Sequence, residues 1–302
     1  MSTAIPATEE QIRVLRRRSF GTWFADTGWR HLVAVLASAF ALFPLLYVFS
    51  ASLNPQGTLT GSNQLFSAIG IDSYVRILSD PQNPYGTWFF NTLLIAVVTG
   101  AATVFIGACA AYAFSRMRFA GRRVGLVTIV VVQMFPQLLA VVAIFLLMST
   151  LGDWFPAIGL NTHTGLIMVY LGGALGVNTY LMYGFFNTIP KEIDEAARID
   201  GAGHARIFFT IILRLVSPIL AVVGLLSFIG TVNEYVVASV MLVDVEQQTL
   251  VVGLTKLVAN PRYADWSAFS AGAVMAAIPV MILFLFLQKY IVGGLTAGAT
   301  KG

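Results

Sequence analysis

Residues 191–218 read KEIDEAARIDGAGHARIFFTIILRLVSP, a charged, small-residue stretch set between two long apolar runs. Lys191, Glu192, Asp194, Glu195, Arg198 and Asp200 crowd its first third, while the chain as a whole is only 11% charged. Pro190 suits a first helical turn, where its missing N–H would be unsatisfied anyway. The acids that follow are favoured near a helix N-terminus by the macrodipole. Gly201 and Gly203 supply C-terminal stops. The pattern predicts a short helix over 190–200, facing water between two longer apolar helices. Ala196 and Ala197 are small enough to let another protein surface approach the backbone, and Glu195 offers a charge to a basic partner. On the residues alone two readings stay open: a solvated connection between spans, or a docking surface.

The 302 residues are 57% hydrophobic. Soluble domains carry roughly 45–50% apolar and about 25% charged residues. The chain is therefore expected to be an all-α integral membrane protein. Its single cysteine, Cys109, excludes an intramolecular disulfide and a thiol metal cluster. His31, His163 and His204 show no ligand spacing, so no metal is expected. No G-x-x-x-x-G-K-[ST] run is present, so the chain should not hydrolyse ATP. No nucleophile–base pair is visible, and no enzyme activity is expected. The net charge of +4 reads as topology, not as nucleic-acid binding.

A spanning helix needs about 20 apolar residues. Six runs qualify, near 31–52, 87–115, 124–148, 164–186, 213–241 and 268–291. The first is longer than a signal-peptide core and reads as uncleaved. Residues 1–30 form a polar tail, residues 31–302 one membrane domain, and residues 187–212 the loop between the fourth and fifth spans. With the N-terminus inside, fifteen of the eighteen Lys and Arg residues fall on inner segments. Only Arg76, Lys256 and Arg262 fall outside. The positive-inside rule then puts both termini and the 187–212 loop in the cytoplasm. Basic residues of the tail would also favour anionic membrane lipid. Tyr85, Trp88, Trp154 and Trp266 sit at span borders, where aromatics anchor to the interface. The segment LFSAIGIDSYVRIL before the second span is weakly amphipathic and suits the membrane surface.

Several polar residues lie inside apolar runs. Gln133 and Gln137 flank Pro136; Asn178 follows glycines 172, 173 and 176; Ser227, Thr231, Asn233 and Glu234 end the fifth run. They either line a wet pathway or gate, or bond helix to helix. Glu234 is the most costly, since a carboxylate at mid-bilayer costs about 2.5–3.5 kcal/mol on insertion scales. An ion-coupled transporter would need such groups, and Glu234 is the lone acid available.

Glu195-Ala196-Ala197, three residues, Gly201, nine residues, then Ile211 and Leu213 resembles the EAA loop of the membrane subunits of ABC importers. That family usually has proline after the leucine; here Arg214 stands there and proline follows at Pro218. Residues 233–254 and 266–302 are similar to the C-terminal third of the G-type permease of maltose/maltodextrin importers. The resemblance implies a type I ABC importer permease fold with six spans in a bacterial inner membrane. It implies that Glu195, Ala196, Ala197 and Gly201 form a coupling helix docked on a cytoplasmic ATPase, present as two copies that hold ATP and Mg²⁺. It further implies a homologous F-type permease partner and an extracytoplasmic sugar-binding protein contacting the 243–267 loop. The tail GLTAGATKG would reach the ATPase. No cofactor is expected on this chain itself.

Overall fold

The computed structural model describes residues 23–57 and 64–299, and every regular element in them is helical. Arg13, Arg16, Arg17, Arg18 and the last residues of the GLTAGATKG tail lie outside the described residues, as does the side chain of Gln137. Two units are described separately, divided between Ser50 and Ala51. Most of the described residues of the first belong to α1 (Trp29–Ser52), which keeps helical winding through Pro44. From Leu32 to Leu46 its apolar side chains are exposed all round, Phe40 to 84%, as a lipid-facing helix requires.

The second unit is built on α3 (Tyr85–Arg116). Its buried positions include Ile95, Ala96, Thr99, Gly100, Thr103, Gly107, Ala108 and Ala111, a stripe at helical spacing. Most are small, which lets neighbouring backbones come close. A Cβ at Gly100 would lie 3.6 Å from the Gly224 carbonyl oxygen, and one at Gly107 would lie 3.3 Å from Met182 Cε. These contacts seat α6 (His163–Phe186) and α9 (Ser217–Asn233) against α3.

Among the described residues three helices are long and apolar enough to cross a membrane, and the count reaches six when bent pairs are each one span. The predicted run 124–148 is such a pair, α4 (Arg122–Gln133) and α5 (Gln137–Trp154), meeting at 101° beside Pro136. The 164–186 run is α6, whose halves meet at 51°. The 213–241 run is divided twice. α8 (His204–Leu215) meets α9 at 78°. Pro218 stands in the first turn of α9 rather than inside a helix. At the other end α9 stops at Asn233, and α10 (Val236–Met241) follows. Proline explains two of these breaks: Pro136 keeps Phe135 out of helical geometry, and Pro218 has no N–H to bond back to the Arg214 carbonyl, so the winding is interrupted at Val216.

Toward the last span, α11 (Leu250–Ala259) precedes α12 (Trp266–Ala299). The amphipathic segment holds α2 (Asp72–Ser79), which buries Ser73 and Ile77. A Cβ on Gly272 of α12 would meet Ile77 at 2.9 Å, so α2 packs on protein. Two border aromatics are also inside, not at an interface. Trp88 is 0% exposed, filling the space beside Gly253. The Tyr85 hydroxyl donates to the Gly272 carbonyl at 3.0 Å. Trp154, 77% exposed, remains free to anchor.

Candidate functional site

The short helix predicted over 190–200 is α7 (Glu192–Ile199), with Glu192, Asp194 and Glu195 in its first turn. Gly201 ends it with φ +80°, and a Cβ there would meet nothing within 4 Å. Its glycine is therefore needed for conformation, not for space. Ala202 N donates to Ala197 O and Gly201 N to Arg198 O, both at 2.9 Å. That pair of bonds is the Schellman stop.

The two faces of α7 do different work. Glu192, Glu195, Ala196 and Ile199 are exposed, at the i, i+3, i+4, i+7 spacing of one helical stripe. Ile199, the last residue of α7, is 87% exposed, an apolar side chain left bare. Ala197 points the other way and is 8% exposed. The EAA triad is thus split: Glu195 and Ala196 face outward, and Ala197 packs inward. Ala197 joins one apolar cluster with Ala108, Ala111, Met182, Phe186, Ile207 and Ile212. α7 therefore shares a core with α3, α6 and α8.

Beneath α7 lies a feature that the charge count concealed. Asp194 Oδ2 is 2.9 Å from Arg116 Nε, and the side chains are 5% and 3% exposed. The approach lies off the N–H axis, so the contact is ionic rather than a directed hydrogen bond. Arg116 Nη2 also donates to the Ile189 carbonyl at 2.9 Å. One arginine at the end of α3 therefore holds both the entrance to α7 and its inner face. Alongside is a polar cleft of about 530 Å³ whose lining includes Arg118, Arg122, Lys191, Arg198 and Glu195. Arg116 reads in sequence as a topology charge. The clue to Asp194 is its phase, three residues before the inward Ala197. Arg214, where the EAA pattern departs, is exposed on α8. The helix break comes two residues later, at Val216, just before Pro218.

The polar residues inside the spans take separate roles. Gln133 donates from Nε2 to the Gly173 carbonyl and accepts from Val177 N at Oε1, 3.0 Å. It lies where a Cβ on Gly176 would clash, at 2.2 Å. Gln133 thus clasps the bend of α6, and Gly176 makes room for it. Glu234 accepts three hydrogen bonds. Tyr170 Oη donates at 2.7 Å, Val237 N at 2.8 Å and Ala238 N at 3.0 Å. Its carboxylate secures the break between α9 and α10. Asn233 is exposed and donates to the Ile229 carbonyl at 2.9 Å. Asn178 and Glu234 are brought together on a pocket of about 260 Å³, which Thr99, Tyr170, Ser227 and Thr231 also line. Thr99 and Tyr170 give no sequence signal, since each is a single polar group within an apolar run.

At the opposite end, side chains strap down the connection between α10 and α11. Trp88 Nε1 donates to Val245 O at 2.7 Å. Asn91 Nδ2 donates to Glu246 O at 2.7 Å and Gln248 O at 3.0 Å. Thr92 Oγ1 accepts from Leu250 N at 2.7 Å. Arg76 pairs with Asp265 at 3.2 Å on the adjoining surface. In the same region, Asn83 and the Gln82 N–H hold the Asp80 carboxyl below the usual carboxylate range.

A helical bundle with an exposed stripe on α7 at one end and a strapped loop at the other matches a known class. Residues 103–296 match the family described as the binding-protein-dependent transport system inner membrane component, and the chain belongs to it. The chain is 39% identical over 272 residues to the maltodextrin transport system permease protein MdxG of Bacillus subtilis (strain 168), covering 90% of this chain and 95% of that one. It is 39% identical over 273 residues to the galactooligosaccharides transport system permease protein GanQ of the same organism, covering 90% of this chain and 94% of that one. Against the maltose/maltodextrin transport system permease protein MalG of Escherichia coli (strain K12), identity is 39% over 282 residues, with 90% and 95% covered. These relatives are transport permeases, not enzymes. Among solved structures, a bacterial ABC transporter involved in the import of the acidic polysaccharide alginate contains a chain of the same fold. The TM-score is 0.71 at 27% identity, covering 95% of this chain and 99% of that one.

Proposed function

We propose that this chain is the permease subunit of an ATP-driven importer of oligosaccharides, for maltose, maltodextrin or a related glucoside such as trehalose. It sits as a multi-pass protein in a bacterial inner membrane, with both termini and α7 in the cytoplasm. It forms half of an alternating-access pathway, the other half coming from a homologous F-type permease. Two copies of an ATPase subunit hold ATP and Mg²⁺, and an extracytoplasmic protein delivers the sugar to the strapped outer loop.

The observation that carries the reading is the outward stripe of α7. Ile199 and Ala196 offer an apolar contact, with Glu192 and Glu195 exposed on the N-terminal side of the same stripe. A bare isoleucine at 87% exposure fits a surface that a partner covers. Closure of the ATPase dimer moves α7, and the shared core with α8 passes that movement to α9. Two ligand-dependent states of one element are what coupling requires. The rival reading, an ion-coupled transporter, needs a free carboxylate in the spans. Glu234 already has three donors, and that reading leaves the α7 stripe without a use.

The test is ATPase activity and uptake in liposomes, with partner subunits and a panel of sugar-loaded binding proteins. Glu195→Lys is expected to stay in the membrane yet abolish uptake, because reversing a docked charge costs several kcal/mol. Normal uptake by that variant would remove Glu195 from the coupling role.

A further inference from the structure

The pocket shared by α3, α6 and α9 holds an imbalance that the bundle itself does not explain. Thr99 is 1% exposed and Ser227 is 8% exposed. Neither hydroxyl has a hydrogen-bond partner among the described residues. Buried polar groups are nearly always bonded, because leaving one unmade in an apolar setting costs free energy. If these residues were only helix glue, their hydroxyls would reach a carbonyl or a neighbouring side chain. Instead both line the same pocket of about 260 Å³, together with Asn178 and Thr231.

The pocket's charge decides what it can take. Glu234 is the one acid among its lining residues, and no cation lines it. The carboxylate is already held by the Tyr170 hydroxyl and the N–H groups of Val237 and Ala238. Its oxygens are already engaged, which leaves it poorly placed to take a metal ion. It would repel an anion, since like charges at close range in low dielectric are costly. What remains is a neutral ligand rich in hydroxyls. We infer that this pocket is a subsite for an uncharged pyranose unit, with Thr99, Asn178 and Ser227 bonding its hydroxyls. The inference rests on the import reading and narrows it: neutral glycosides pass here, and uronate chains do not.

Gly230 gives the test a clean variant. It lines the pocket, and a Cβ there would meet nothing within 4 Å. A leucine at this helical position gains helix propensity, and its Cβ enters open space at the pocket wall. In liposomes holding the full complex, uptake of maltotriose, trehalose, galactobiose and an alginate trisaccharide would be measured as sugar moved per ATP hydrolysed. Thr99→Val and Ser227→Ala are each expected to lower that ratio for neutral sugars by about two- to tenfold, the range for one lost hydrogen bond. Gly230→Leu should lower it by more. Thermal stability should hold or rise, because each change removes an unbonded hydroxyl or adds a helix former. A parallel readout uses Cys109→Ser, which removes the single cysteine, combined with Asn178→Cys at the half-buried pocket wall. A water-borne methanethiosulfonate should label that thiol, and saturating neutral sugar should slow the labelling. Unchanged sugar per ATP in all three variants overturns the subsite, as does labelling indifferent to sugar. Loss of uptake that tracks loss of thermal stability overturns it too, by making the role structural. Preferred uptake of the alginate trisaccharide reverses the charge argument. Wild-type complex that moves none of the panel with ATP overturns the import reading itself, a result distinct from all of these.

Discussion

The connection from α10 to α11 and the connection from α6 to α8 are both loops between spans, yet they are held in opposite ways. The first is tied down by side chains of Trp88, Asn91 and Thr92 bonding its backbone. Each bond is neutral, short and backed by the buried indole of Trp88. The second is a separate helix that rests on an apolar seat and one buried ion pair, Arg116 with Asp194. That pair leaves Arg116 Nη1 and Asp194 Oδ1 without hydrogen bonds. Buried ion pairs contribute little net stability, because desolvation offsets the attraction. Such a contact is weak as glue but strict in geometry. One end of the bundle is built to stay put. The other fixes the angle of α7 with respect to α3 and leaves its outer stripe bare.

The largest effect should come from breaking the strapped end. Trp88→Ala removes a fully buried ring and its hydrogen bond, a loss of about 3–5 kcal/mol. It should lower the thermal midpoint of the purified chain sharply while leaving ATPase retention in surviving complexes intact. Asp194→Ala strands the buried Arg116 charge, which costs about 3 kcal/mol or more. Here ATPase retention on a native gel should fall along with stability, because α7 loses its angle. If Trp88→Ala and Asp194→Ala reduced retention equally, the contrast between the ends would collapse. Gly201→Val forces a β-branched residue into left-handed geometry, a strain of about 1–2 kcal/mol. Assembly with the ATPase should weaken, and an intact complex would count against α7 as a docking element. Arg76→Gln should do least, since the pair with Asp265 is exposed and such pairs contribute about 0–1 kcal/mol. A midpoint shift that vanished in 1 M salt would confirm that ranking, given a Debye length of about 3 Å there.

Much of this was legible before any coordinates. The short helix at 192–199, its glycine stop and its small residues follow from local chemistry: acids at an N-terminus, glycine where φ turns positive. The apolar runs are equally local, because spanning a bilayer is a matter of length and hydropathy. What the runs could not convey was their bending. A run such as 213–241 is apolar throughout, and hydropathy is blind to the turns at Val216 and Glu234. Pro218 hinted at the first. The second is fixed by a carboxylate whose donors lie on α6 and α10. Trp88 was misjudged for a similar reason. Its type suits an interface, but its place is set by Gly253, which is 165 residues away in sequence.

The sequence by itself determined the class of molecule and the short charged helix, since composition, hydrophobic length and the EAA spacing are properties of neighbouring residues. Tertiary structure decided which face of α7 is free, and it turned two unremarkable charges, Arg116 and Asp194, into a joint. It also gathered Thr99, Asn178, Ser227 and Glu234 from three helices onto one pocket. Burial and pairing depend on residues distant in the chain, and only packing brings those together.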